Sequence, residues 1–184
     1  EYMIRAVRSQ VTPSGNYFNQ SLGITAAVPP STTTSVLVSP KVFLQGPTTG
    51  TLMSDALRAA SLLPLNDPYP STGYTHVGSV GVATTPSVLQ ITGNNAVVDW
   101  VVVELRNAST PSTKVFTRSA LLLRNGSVVD VDGVSPVQCV VPNGSYYVAI
   151  HHRNHLGVMT ANPIALGSVT STVNFSLATT PTWG

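Results

Sequence analysis

S-A-L-L-L-R-N-G-S-V-V-D-V-D-G, Ser119 to Gly133, is the stretch that decides the fold. Leu121-Leu122-Leu123 and Val128-Val129 are short apolar runs of strand character. Between them Asn125-Gly126 supplies the residue pair that adopts positive φ most readily, so a tight antiparallel hairpin is predicted here. The same grammar continues in both directions. Apolar segments at Ala96–Arg106, Thr113–Arg124, Val128–Asp130, Val137–Val141, Ser145–Arg153, Ile164–Leu166 and Thr170–Leu177 alternate with Asn, Asp, Gly and Pro turn signals, among them Asp132-Gly133 and Asn143-Gly144. Several short strands at this spacing predict an all-β chain, an antiparallel β-sandwich of immunoglobulin-like or jelly-roll-like type. In the segment around Trp100, alternation sets Val98, Trp100, Val102 and Glu104 on one face and Asp99, Val101, Val103 and Leu105 on the other. Both faces are mostly apolar, which predicts a central strand and requires a partner for a buried Asp99.

Upstream, the pattern is less regular. Val88–Thr92 reads as a strand, and Asn66–Pro86 as a long Pro-, Gly- and Tyr-rich loop of the kind that is functional or held by a neighbour. Leu52–Leu63 is the one helical candidate, with Leu52, Ala56, Ala59 and Leu63 at helical spacing and Pro64 as its stop. Val36–Val38 and Lys41–Gln45 read as strands on either side of Pro40. Before them, residues 1–11 and Ser21–Val28 read as extended pieces around a Pro13-Ser14-Gly15-Asn16 turn, and Pro29-Pro30 breaks the chain. The expected organisation is a β-prone N-terminal extension over 1–38, carrying candidate donor strands, and a β-sandwich domain over 39–184.

Composition narrows the function. Only 9% of the 184 residues are charged and the formal net charge is +2, so the surface is polar but weakly charged, which suits an extracellular or self-associating protein. The basic residues are scattered, with no footprint for nucleic acid. The single cysteine, Cys139, excludes an intrachain disulfide and reads as a packed thiol within the strand Val137–Val141. No apolar run is long enough to cross a bilayer. Residue 1 is Glu, and no charged stretch followed by an apolar one opens the chain, so a leader is expected to have been removed or the terminus trimmed. Five N-x-S/T sequons, at Asn19, Asn107, Asn125, Asn143 and Asn174, would matter in a secretory setting.

From Lys41 onward the motifs KVFLQG, LMSDALR, the Pro64-Leu65-Asn66-Asp67-Pro68-Tyr69 loop with Gly73–Gly78, TGNNAVVDWVVVELR, SALLLRNGSVVDVDGVSPV and SYYVAIHHRNHLGVMT occur together. As a set they resemble a module that recurs near the ends of large secreted proteins of Bacteroidota-type bacteria. The DWVVVELR, DVDG and HRNHLGVMT segments are the most specific part of the resemblance. It implies a secreted, surface-associated β module and supplies no catalytic residues. The β-prone extension and the short tail ending Pro181-Thr182-Trp183-Gly184 suggest a free-standing subunit rather than an appendage.

Several constellations invite chemistry. His151 and His155, with His76, suggest a metal site, but no ligand motif of fixed spacing accompanies them. Asp130 and Asp132 in D-V-D-G resemble a fragment of a calcium loop without its remaining ligands, and turn chemistry explains them. The better reading is a structural polar cluster of Arg153, Asn154, His155, Asp130 and Asp132, with Asp130 or Asp132 paired to Arg124 or Arg153. No nucleophile motif is present, and Asp99 and Glu104 fall on opposite strand faces, which disfavours paired-carboxylate catalysis. Tyr69, Tyr74, Tyr146, Tyr147 and Trp183 are candidates for a sugar-stacking platform, although Gly144-x-Tyr146 fits a tyrosine corner better.

The expectation is therefore a non-enzymatic structural subunit of an extracellular bacterial filament or surface assembly. It needs no cofactor and uses copies of itself as partners. Tyr2, Ile4, Ala6, Leu22, Ile24 and Ala26 are the interface candidates, acting by strand addition. The alternative is a monomeric adhesive or carbohydrate-binding module for surface glycans, its site formed by the 66–86 loop and the HRNHL segment.

Overall fold

The computed structural model describes residues 2–4, 7–20, 24–26 and 34–183. The chain divides into two compact units, Glu1–Thr32 and Thr33–Gly184. The boundary precedes the expected residue 38, because Val36 and Val38 are both wholly buried in the core of the second unit.

The first unit is a run of two antiparallel ladders along the same two chain segments. β1 (Tyr2–Ile4) pairs with β4 (Ile24–Ala26), and β2 (Val7–Thr12) pairs with β3 (Gly15–Gln20). Pro13-Ser14 makes the turn, where the Thr12 hydroxyl donates to the Gly15 carbonyl at 2.9 Å. β3 occupies residues that alternation alone does not mark as a strand. None of the described side chains of this unit is buried.

In the second unit β5 (Val36–Lys41) runs straight through Pro40 instead of stopping at it. Leu37 N–H donates toward Gly167 and Val42 N–H to the opposite side, toward Gly126, so alternate residues face alternate sides. Pro40 therefore faces the side of β11 (Val137–Cys139), whose pairing with β5 ends at Val38. The donor that proline lacks is not needed there. After a two-residue ladder of β6 (Thr48–Thr49) with β7 (Leu52–Met53), the expected helix contracts to one turn, α1 (Ala56–Ala59). It ends in a Schellman motif. Leu62 N–H donates to Leu57 C=O and Ser61 N–H to Arg58 C=O, with Ser61 left-handed at φ 57°. A residue with a Cβ is disfavoured in that conformation, so Ser61→Gly is expected to stabilise the protein by about 0.5–1 kcal/mol in urea unfolding. Val88–Thr92 is likewise no strand. Thr85-Pro86 starts a helical turn, α2 (Pro86–Leu89), with proline at the first position where its missing N–H costs nothing.

The main sheet has six strands. β8 (Val97–Asn107) and β9 (Lys114–Leu123) pair in long antiparallel register, and the short β10 (Val128–Val129) flanks β9. The Asn125-Gly126 turn is present as predicted, with Gly126 at φ +87°; an added Cβ would also meet Phe43 at 2.9 Å and the Val42 carbonyl oxygen at 3.1 Å. On its other side β8 pairs with β12 (Gly144–His152), whose far edge carries β13 (His155–Met159) and β14 (Ile164–Leu166). β13 falls in a segment expected to be a polar turn. The turn is only Arg153-Asn154, and the chain returns as a strand. β15 (Ser171–Asn174) runs parallel to β5, so β11, β5 and β15 form a second, three-stranded sheet.

Two cores follow from the central position of β8, which is buried on both faces as its composition requires. Val101, Val103 and Leu105 join Val36, Val38, Val137, Cys139 and Val173 of the three-stranded sheet in one cluster. Val97, Trp100 and Val102 join Leu63, Tyr69 and Val88 in the other, under the 63–89 segment. An irregularity in register between Val97 and Asp99 rotates the strand start. Val98 consequently lies with Val101 and not with Trp100, against simple alternation. Cys139 is fully buried, and burial pushes its thiol up to about 12.

Tyr146, near the start of β12, donates its hydroxyl to the Pro142 carbonyl at 2.8 Å, the bond of a tyrosine corner. Tyr146→Phe removes that bond and little else, so a loss of about 0.5–1.5 kcal/mol is expected in denaturant titration.

Candidate functional site

The 66–86 loop and the His151–Thr160 segment, far apart in sequence, meet over the face of the main sheet that carries Glu104. Tyr69 anchors the loop: its side chain is buried, and its hydroxyl donates to Trp100 C=O at 2.9 Å and to His151 C=O at 3.4 Å. Tyr74 follows, its ring stacked on His151 (centroids 5.6 Å apart) and edge-on to His76 (5.3 Å).

Glu104, 2% exposed, is the centre of this group. Its Oε1 accepts from the Tyr74 hydroxyl at 2.6 Å and lies 2.7 Å from Lys114 Nζ, and its Oε2 accepts from Arg106 Nε and Nη2 at 2.9 and 2.6 Å. Burial alone would raise the carboxyl, but the hydrogen bonds from Lys114, Tyr74 and Arg106 outweigh it and hold Glu104 below the usual range. Burial and the bond to Glu104 push the Tyr74 phenol up. His151 is held below an ordinary imidazole, mainly by burial and against the pull of Glu104. A pocket of 230 Å³ opens beside it, with Glu104, Arg106, His151, Gly157, Met159 and Trp183 among its lining. Trp183 is 55% exposed and packs edge-on against Tyr147. Glu104 has all its acceptor sites engaged by donors, so acid–base work would first require breaking an ion pair.

His76 lies deeper. Its Nε2 donates to Asp67 Oδ2 at 2.7 Å, and Thr117 Oγ1 lies 3.0 Å from Nδ1. The arrangement has the outline of a hydroxyl–imidazole–carboxylate relay, but Thr117 is fully buried and its oxygen also accepts from Val77 N–H at 2.8 Å. That hydroxyl is closed off from solvent, and its contacts with His76 and Val77 fasten the loop to β9.

The second cluster surrounds Asp99, 3% exposed. Arg153 Nη1 and Nη2 each donate to it at 2.7 Å, Trp100 N–H donates at 2.7 Å, and His152 Nε2 approaches at 3.2 Å. Burial opposes ionisation, yet the bonds from His152 and Arg153 prevail and hold the Asp99 carboxyl low. Behind it His152 Nδ1 accepts from Asn154 N–H at 3.2 Å and lies 2.8 Å from His155 Nδ1, while His155 Nε2 donates to Gln45 C=O at 2.9 Å.

The expected clusters are thus rearranged. Arg153, Asn154 and His155 do gather, but around Asp99 and His152, without Asp130 or Asp132. Asp130 takes Arg118 in a two-pronged pair at 2.9 and 2.7 Å, not Arg124 or Arg153. Asp132 closes its own turn by accepting from Val134 and Ser135 N–H at 3.0 and 2.9 Å. Arg124 instead reaches the Met53 carbonyl and Asp55. The metal candidates are dispersed likewise: His151 and His76 flank Tyr74, whereas His155 turns to His152. Among the described residues no group of three or more His, Cys, Asp or Glu is placed to hold a metal ion. No helix among them is long and apolar enough to cross a membrane. Of the interface candidates, Ala6 and Leu22 lie outside the described residues. Tyr2 stands in register with Ala26, and Ile4 with Ile24. Comparison with protein-family models, curated proteins and solved structures finds no match.

Proposed function

We propose that the chain is a structural subunit of an extracellular assembly and polymerises through its N-terminal arm. One observation carries this reading. In β2 and β3, Val7 stands opposite Gln20, Ser9 opposite Phe18 and Val11 opposite Asn16, so Val7, Val11 and Phe18 share a face. They are 57, 76 and 73% exposed. An isolated two-stranded ladder is marginal in water, and an apolar face on it is a surface that wants a cover. A neighbouring subunit supplies that cover, and a contact repeated head to tail builds a filament.

Other features support the same reading. The two cores are consistent with an antiparallel β-sandwich, and the Tyr146–Pro142 bond favours the immunoglobulin-like kind. The weakly charged surface and the resemblance of the DWVVVELR, DVDG and HRNHLGVMT segments to secreted bacterial modules support an extracellular site. Asp99 and Glu104 are occupied by structural partners, which supports a non-enzymatic role. The pocket beside Trp183, where an exposed indole adjoins Arg106 and His151, favours a second reading as a glycan-binding module.

Sedimentation of the purified full chain tests the proposal. Polymers are expected, and the Val7→Ser/Val11→Ser/Phe18→Ser variant is expected to sediment as a monomer with an unchanged near-ultraviolet circular dichroism spectrum. A wild-type chain that stays monomeric at high concentration sinks the idea.

A further inference from the structure

We infer that the arm is received by the outer edge of β13 in a second copy of this chain; the inference rests on assembly through the arm. Among the described residues β13 has one strand neighbour, β12, and its outer side is covered at one end, where Thr182 bridges Thr160, Trp183 N–H donates to Met159 C=O, and Ala161 N–H donates to Pro181 C=O. Toward the Arg153-Asn154 turn, no strand is laid against it among the described residues. Exposed edges are usually blunted by lysine, proline or a very short strand. The sequence of β13, H-L-G-V-M, contains neither lysine nor proline, and Leu156 is 100% exposed.

The two faces beside this edge differ. On one side a cavity of 340 Å³ is lined by Val42, Phe43, Leu156, Val158 and Phe175 among others. On the other, the 230 Å³ pocket presents Glu104, Arg106 and His151. A strand added to an edge sends alternate side chains to opposite faces. β2 is built with that alternation: Val7, Ser9 and Val11 point one way and Arg8, Gln10 and Thr12 the other, and among the described residues its one strand partner is β3. The apolar set matches the Val42, Phe43 and Phe175 wall of the first cavity, which also carries Gln45, His155 and Ser176, and the polar set matches Glu104, Arg106 and His151 in the second, beside Met159 and Trp183. The occupant is therefore the β2 edge of a neighbouring copy, adding main-chain pairing to the contact that the tail begins.

Inter-chain cross-linking tests this. A chain carrying Val11→Cys, and separately one carrying Val7→Cys, is mixed with a chain carrying Leu156→Cys and oxidised; native Cys139 is fully buried and stays silent. A disulfide-linked heterodimer is expected from the mixtures, and Leu156→Lys in the full chain is expected to reduce polymers to monomers by sedimentation without altering the circular dichroism spectrum. Polymers that persist in Leu156→Lys, with no cross-link to position 156, overturn the edge assignment while leaving assembly through the arm intact. Polymers that also survive the triple arm substitution, or a wild-type chain without polymers, overturn both. A cross-link that forms only within a doubly substituted chain at high dilution overturns the second copy as occupant.

Discussion

Replacing Arg153 with alanine is expected to destabilise the protein by about 3–5 kcal/mol, the cost of leaving one member of a buried ion pair alone. The loss falls on Asp99. Its side chain is 5% exposed, against 25% for Arg153, so the carboxylate is the partner that cannot turn to water. His152 and Trp100 N–H remain as donors but do not replace the two bonds from the guanidinium. Asp99→Asn is expected to cost less, because the freed guanidinium reaches solvent. A double-mutant cycle with urea unfolding separates the pair's coupling from the cost of each truncation. The same site sets an acid limit. Asp99 and Glu104 both ionise below their ordinary values of 3.8 and 4.5, so their contribution is complete above those values and is lost as pH falls through the lower folded-state values. Stability is therefore expected to hold from neutral pH to about 5 and to fall below about 4. In Arg153→Ala the loss of stability below about pH 4 should be shallower, since the Asp99 carboxyl has lost a partner that favours its ionised form and its folded-state value moves back toward the unfolded one. An unchanged acid slope in that variant contradicts the assignment.

Trp100→Ala is expected to cost about 3–5 kcal/mol as well, by a different route. The indole is fully buried among Leu63, Tyr69, Val88 and Leu121, and it is the largest side chain of that cluster. Its Nε1–H donates to the Pro64 carbonyl at 3.0 Å, so its removal also unfastens the segment that covers the sheet. The damage should be uneven. Amides of residues 63–89 are expected to lose hydrogen-exchange protection more than those of β8 and β12, which keep the other core between the sheets. Trp183 remains as a fluorescent reporter.

What the sequence revealed follows from where the physics is local. β8, β9 and β12 are legible because strands buried on both faces must be apolar throughout, and Asn125-Gly126 because few residue pairs suit its turn. The helical spacing of Leu52 to Leu63 misleads because packing uses only part of it: Met53 and Leu63 are buried, while no residue of α1 is. Val88 is apolar for its place beside Trp100, and the Thr85-Pro86 start signal outweighs its β-propensity. That a buried Asp99 needs a partner was legible, but which residue supplies it was not, since a partner across a sheet depends on register. β8 and β12 align Val102 with His151, and continuing that ladder carries Asp99 to the Arg153-Asn154 turn. The Arg118–Asp130 pair depends similarly on the register of β9 and β10.

The partners of β5 govern how the molecule can come to be. Among the described residues, Val36–Lys41 has no strand neighbour until Val137–Cys139 arrives for one half and Ser171–Asn174 for the other. Such distant closures slow folding and leave the incomplete chain without its second layer. During synthesis from the N-terminus the three-stranded sheet therefore stays open until Ser171–Asn174 has been made. Under the proposed extracellular assembly, that delay keeps the chain threadable and postpones a rigid building block until its destination.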